Sequence, residues 1–391
     1  MKFPKSFLWG AAVSAYQVEG GNKFSDWWHW EIKNKKPRSG KACNFWNKFS
    51  DYFDYLEKGK MNAFRLSVEW ARVNPQKDKW DSEAIARYKT IIRNLKQRKI
   101  EPVLTLWHFS LPQWLAKDGG WLNPLALEYF EKYVVKIRKT LGEEIKYWTV
   151  LNEPGVYVYK SFIEGDWPPQ KKYSLFDVLR LRKILVKAHR AAYSILKTKN
   201  NFVSSAFNLS WDEPKSKLNP FNKLAKYFLE EFSDWGFLKE LSSRLDFVGV
   251  NYYFHNLIDF PFQVIGPNKN AKEFSDIGWE IYPKGVYYVS KKAFQKYKKP
   301  LMITENGLAD KKDLKRGKFL QDHIFWLNQS FQEGVQIIGY LHWSLMDNFE
   351  WSMGKNPRFG LLETDYKNMT PKPRKSFWLY KKLIESHTEI V

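Results

Sequence analysis

Eight short apolar segments rich in β-branched and aromatic residues recur along this chain, each followed by polar residues and then by a stretch with helical spacing. They lie near Phe7–Tyr16, Ala63–Trp70, Pro102–His108, Ile145–Asn152, Val203–Trp211, Phe247–Tyr253, Leu301–Glu305 and Val335–Ser344. Repeated strand–helix units feed a parallel sheet, and eight of them close it into a ring. The series predicts an α/β fold, a single (β/α)8 TIM barrel with its active site at the C-terminal ends of the strands. Between the third and fourth segments, Asn123 and Pro124 open a helix whose stripe is Leu127, Phe130, Val134, Ile137 and Leu141, ended by Gly142. Ser82 precedes Ile85, Tyr88, Ile92 and Leu95, and Ser174 with Asp177 forms a capping box ahead of Leu181, Ile184, Leu185 and Ala188. The competing open, doubly wound sheet lacks the glycine-rich phosphate loop that would mark it. No linker or compositional break divides the chain, so residues 1–391 read as one domain.

Composition narrows the function classes. A chain with 44% hydrophobic and 18% aromatic residues, 19 of them Trp, can fill a large core and still line a pocket with rings. The lone Cys43 forms no internal disulfide, and the amino terminus MKFPKSFLWGAA lacks a secretory h-region, so a cytoplasmic location is expected. Every apolar run is soon interrupted by polar residues, so no membrane-spanning segment is expected. The net charge of +22 invites a nucleic-acid reading, but groups such as Lys33 to Arg38 and Lys296 to Lys299 are dispersed, which fits a solvated surface and no specific nucleic-acid partner.

Polar residues that follow a barrel strand face the active-site mouth. Gln17 and Glu19 follow the first strand, Arg65 and Glu69 sit in the second, and His108 ends the third. Asn152 and Glu153 end the fourth, Asn251 and Tyr253 the sixth, and Glu305 and Asn306 the seventh. After the eighth come Trp343, Asp347, Asn348, Glu350 and Trp351. Singly, each could cap a turn or pair with a neighbour; together they bring carboxylates, amides and indoles into one crevice. A glycoside is uncharged and densely hydroxylated, so a site for it needs that mixture: hydrogen-bonding amides and carboxylates, with flat aromatic faces for the ring. Cleaving the bond needs one carboxyl group that gives a proton and a second that meets the cationic sugar, and Glu153 and Glu305 are the candidates. No cofactor and no metal is called for.

The motifs FLWGAAVSAYQVEG, FRLSVEW, WHFSLPQWL, TVLNEP, FVGVNYY, ITENG and WSLMDNFEW resemble, in order, those of glycoside hydrolase family 1, the β-glucosidase and β-galactosidase family. SDWWHWE and the HF pair are similar to its archaeal and thermophile members. The resemblance implies exo-acting, retaining hydrolysis of small-molecule β-glycosides or oligosaccharides through a covalent glycosyl-enzyme, with Glu153 as acid/base and Glu305 as nucleophile. It implies that Arg65 and Tyr253 orient Glu305, that Asn152 bonds the sugar 2-hydroxyl, and that Gln17, His108, Glu350 and Trp351 hold the other hydroxyls. Trp343 would underlie the sugar ring and Phe359 would close that end, whereas Asp347 and Asn348 are expected to be structural.

Two departures stand out: Phe109 replaces the Trp of many members, and the Asn208 to Pro220 loop looks abbreviated. Members that cleave phospho-glycosides carry Ser at the Glu350 position and Lys and Tyr where this chain has Pro357 and Phe359, so that substrate class fits poorly. A noncatalytic relative would have lost a carboxylate, and both are present. Transglycosylation uses the same residues and stays open.

Overall fold

The computed structural model describes residues 2–171, 173–265 and 271–389. Eight parallel strands close a barrel in the order of the sequence: β1 (Leu8–Ala12), β2 (Ala63–Ser67), β3 (Glu101–Trp107), β4 (Tyr147–Asn152), β5 (Phe202–Asn208), β6 (Val248–Asn251), β7 (Leu301–Asn306) and β8 (Ile337–Trp343). The ring closes where β1 pairs with β8, from Leu8 opposite Gly339 to Ala12 opposite Trp343. Around it run α1 (Phe45–Lys58), α2 (Ser82–Gln97), α3 (Ala126–Leu141), α4 (Leu175–Leu196), α5 (Pro220–Phe232), α6 (Asp234–Leu241), α7 (Lys284–Tyr297), α8 (Arg316–Gln332) and α9 (Lys375–His387).

Strand residues alternate between two cores, as a period of two requires. Trp9, Phe64, Leu66, Leu104, Leu106, Trp148 and Val150 belong to the layer shared with the helices. Leu8, Ala63, Val103, Met302 and Leu341 form a smaller cluster inside the ring. Arg65, two residues beyond Ala63, therefore points into the barrel near its C-terminal mouth, where the sequence expects the site.

Six of the eight strands are shorter than the apolar runs that mark them; β3 keeps its length one residue earlier, and β7 extends one residue further, to Asn306. Past Ala12 the first run continues into a short helix, Ala15–Glu19, that carries Gln17. In the second run Glu69 caps the helix Trp70–Val73, its carboxylate accepting from the Ala71 amide at 3.2 Å. The fifth run splits: β5 stops at Asn208, and Trp211–Pro214 joins His255–Asp259 and Gln263–Ile265 in a separate three-stranded sheet. The Asn208 to Pro220 loop is thus partly a strand.

Helix starts differ by a residue or more. Asp81, not Ser82, caps α2 through the Ala84 amide, and α3 begins at Ala126 while Asn123 accepts from the Leu125 amide at 2.8 Å. The Ser174–Asp177 box is present in both directions. The two ends of the chain meet: the Phe3 amide donates to the His387 carbonyl at 2.7 Å and the Glu389 amide donates back to Phe3 at 3.1 Å. Among the described residues, no helix is long and apolar enough to cross a membrane.

Candidate active site

The two carboxylates singled out in the sequence face one crevice from β4 and β7 and are joined by a continuous hydrogen-bonded chain. Arg65 from β2 makes an ion pair with Glu305 Oε1, and the Tyr253 hydroxyl donates to Oε2 at 2.9 Å. The same guanidinium donates to Thr105 Oγ1 at 3.1 Å and to Asn152 Oδ1 at 2.7 Å. Asn251 Nδ2 bridges Asn152 Oδ1 at 3.1 Å and Glu153 Oε1 at 2.8 Å, while Thr304 Oγ1 donates to Asn251 Oδ1 at 2.6 Å and fixes the amide. Gly307, just after β7, has no room for a side chain, because a Cβ there would lie 1.8 Å from the Trp343 carbonyl oxygen. The turn after Glu305 therefore packs directly against the end of β8.

The surroundings separate the two acids. Glu153 is 7% and Glu305 4% exposed, so neither carboxylate is well hydrated. Burial first, and then the nearby charges of Glu305 and Asp234, push Glu153 well above the ordinary carboxylate range; the Asn251 amide and Arg65 only partly oppose this. Burial also raises Glu305, but there Arg65 and the Tyr253 hydroxyl pull the other way. Only Glu305 has a contacting cation, so of the pair Glu153 holds the proton more firmly. Burial and Glu305 keep the Tyr253 hydroxyl protonated, so it remains a donor.

Beside the acids lies a wall of donors, acceptors and rings. Glu350 accepts from Trp343 Nε1 at 3.1 Å and from Gln17 Nε2 at 3.3 Å, and burial, partly offset by those two bonds, pushes its pKa up to about 7. Gln17 Oε1 accepts from Ser14, which aims its amide nitrogen at Glu350, Asn348 and the Phe349 carbonyl. His108 is held neutral by burial and by Arg65. Asn152 Oδ1 already accepts two bonds, so its Nδ2 donates to His108 Nε2 at 3.1 Å; the imidazole proton then sits on Nδ1, a buried donor without a protein partner. His108 is nearly parallel to both Trp343 and Trp351, at centroid distances of 6.0 and 6.1 Å. Phe359 packs with Trp343. Every site residue named from the sequence therefore reaches this crevice or its wall. Among the described residues, no three His, Cys, Asp or Glu side chains are grouped to hold a metal ion.

Other strand-end residues point elsewhere. Glu19 pairs with Arg72 at 2.8 Å and accepts from Tyr88, and Glu69 accepts from Ser110, in a buried cluster of their own. Asp347 takes both terminal nitrogens of Arg374 at 2.9 Å and the Gly360 amide at 3.0 Å, whereas Asn348 donates to Ser344 and accepts from Gln17 Nε2 at 3.2 Å, so it braces the site wall from behind. Phe109, with a φ of +73°, packs against Trp351 and Trp167.

Three residues were missed. Asn208 Nδ2 donates to Glu153 Oε1 at 3.2 Å; the signal was there, since Asn208 ends β5 as Asn152 and Asn251 end theirs. Asp234 accepts from the Gly155 and Asn208 amides at 2.7 and 2.9 Å, and Trp167 lies against Trp351. Both come from crossover segments whose position only the folded chain reveals.

Known proteins resemble this chain along nearly its whole length. The profile of the family described as "Glycosyl hydrolase family 1" matches residues 1–240 and 229–389. "Beta-glucosidase A" of Thermotoga maritima is 29% identical over 99% of this chain and 98% of its own length. "Beta-galactosidase" of Sulfolobus acidocaldarius is 28% identical over 99% of this chain and 96% of its own. Among solved structures, a "beta-glycosidase from Pyrococcus horikoshii" superposes with a TM-score of 0.93 at 34% identity, covering 99% of this chain and 95% of that one.

Proposed function

This chain belongs to glycosyl hydrolase family 1 and is an O-glycosyl hydrolase, and from that premise we propose that it is a retaining β-glycosidase removing single sugars from β-glucosides, β-galactosides or related small-molecule glycosides. One observation carries the reading: one buried carboxylate is paired with arginine and the other is bonded only to neutral amides. Glu305, ionised, attacks the anomeric carbon; Glu153 gives its proton to the departing glycosidic oxygen, and the C–O bond breaks as the Glu305 ester forms. Esterification removes the Glu305 charge that helped raise Glu153, so Glu153 then takes a proton from water as that water attacks the anomeric carbon on the face opposite the ester, and the bond from that carbon to Glu305 breaks to release the carboxylate. The sugar leaves with its β configuration retained.

Asn152, His108, Gln17, Glu350 and Trp351 take the glycone hydroxyls in this reading, Trp343 lies beneath the ring, and Phe359 closes the end. The unpartnered donor of His108 supports hydroxyl recognition. The ring closure between β1 and β8 supports a single catalytic domain over 1–391, and the single, buried Cys43 fits a cytoplasmic location.

A 2-deoxy-2-fluoro glycoside with a good leaving group tests the mechanism. It should raise the mass by one fluorosugar and label the peptide holding Glu305, and Glu305→Gln should abolish labelling. Glu153→Ala should still take the label, cleave alkyl glycosides far more slowly than activated aryl ones, and yield a β-glycosyl azide with azide. A label elsewhere, or an inverted product, overturns the assignment.

A further inference from the structure

Many of the large apolar side chains exposed among the described residues lie on α5 and the segments beside it. The helix α5 buries only Asn222 and Ala225. Apart from the half-buried Leu229, its larger apolar residues face out: Phe221 is 58% exposed, Tyr227 55% and Phe232 49%, and Leu218, just before it, 95%. The turn after the strand His255–Asp259 adds Phe260 and Phe262, which reach Phe221 and Phe228 at centroid distances of 5.4 and 6.2 Å. Arg182 of α4 donates to the Phe232 carbonyl at 3.2 Å, and the first turns of α4 expose Leu175, Phe176 and Leu179 as well. Such a surface is wider than the scattered apolar residues a protein leaves in water.

We propose that this flank docks onto an anionic lipid bilayer, with α5 lying in the plane of the interface. A helix that is apolar on one side, lysine-bearing on the other and too short and charged to span is the form that rests at a lipid surface. The carboxylates of α5 and of the turn beside it are paired: Glu230 with Lys292 at 2.8 Å, Glu231 with Lys239 at 3.0 Å and Asp259 with Lys215 at 2.7 Å, while Asp177 in the first turn of α4 bonds, among the described residues, only Ser174. Lys217, just before α5, and Lys223 on it are exposed and have no carboxylate partner among the described residues. A second copy of the chain is the poorer occupant, since pairing two copies would oppose these lysines across molecules that each carry +22. An anionic headgroup layer meets the same lysines with the opposite sign and receives the rings below it.

Co-sedimentation with vesicles of phosphatidylcholine alone, or mixed equally with phosphatidylglycerol, tests this on the full chain. The protein should pellet with the mixed vesicles and stay partly bound at high ionic strength. The triple variant Phe221→Ser, Phe260→Ser, Phe262→Ser should partition at least about tenfold less, since each ring forfeits its burial. None of these residues belongs to the active site, so aryl-glycoside hydrolysis should be unchanged; hydrolysis and vesicle binding fail independently. Lys217→Glu with Lys223→Glu should weaken binding to the mixed vesicles alone. If the triple variant does not fold, Leu218→Ser, outside any helix, should lower partitioning in the same direction. No binding by the unaltered protein overturns the proposal, as does equal binding by the phenylalanine variant, which would leave net charge as the sole cause. So does a dimer in light scattering that the phenylalanine substitutions dissolve, which would mean that a second copy covers the face.

Discussion

Asn251 uses the two ends of its amide for different purposes. Its oxygen is occupied by the Thr304 hydroxyl, so its nitrogen must donate, and it meets Glu153 at Oε1, where Asn208 donates as well. An oxygen that already accepts two N–H bonds is a poor place for a proton, so the acidic hydrogen of Glu153 resides on Oε2, the free oxygen. These donors favour the carboxylate form. Asn251→Ala should therefore move the basic limb of the kcat/KM profile to higher pH and lower kcat by about tenfold, the value of one hydrogen bond to a charged group. A pH profile on an aryl glycoside, with the Glu305 fluorosugar label retained, distinguishes this from misfolding. Residue types at this scale were largely legible: Glu153, Glu305, Arg65, Tyr253 and the amides stand at strand ends in the linear chain. Their pairing was not, because Asn208, Asn251 and Thr304 meet only through closure of the ring.

Elements were legible in kind and blurred at their edges. An apolar run states that a segment is buried without stating its backbone geometry, which is why Val13 to Tyr16 reads as strand and is partly a short helix. The fifth run failed for a related reason: Leu209 is buried, but Trp211 and Asp212 pair with His255 and Asn256 in another sheet, and no local pattern separates one sheet from the next. Caps that lie within three residues of their targets, such as Ser174 and Asp177, could be read directly, since both partners occur in one turn. The outward-facing rings of α5 were invisible because a helical stripe says which side is apolar but not where that side points.

Over the whole molecule, buried acids set how stability responds to pH. Burial pushes Glu69 up to about 8, and Asp26, Asp234 and Glu350 to about 7. The native state thus keeps protons that the unfolded chain releases, and stability falls as pH rises through these values. The buried His189, His323 and His342, lowered to between about 3 and 4, act oppositely, but their effect is complete above the ordinary histidine value of 6.5. Between about pH 6.5 and 8.5 the acids act alone, so Tm should decline, and Glu69→Gln should flatten the upper part of that decline in calorimetry. A different consequence follows from the two backbone hydrogen bonds between Phe3 and the segment after α9. Because the segment before β1 lies beside the segment after α9, the ring does not depend on the backbone staying open between them. Linking the ends through a short glycine–serine bridge and opening the exposed turn between Lys199 and Asn200, at the opposite pole from the catalytic mouth, should yield a circular permutant that still hydrolyses aryl glycosides. Far-UV circular dichroism and turnover of that rewired chain would show whether the eight-fold ring, rather than the order of its synthesis, is what the sequence encodes.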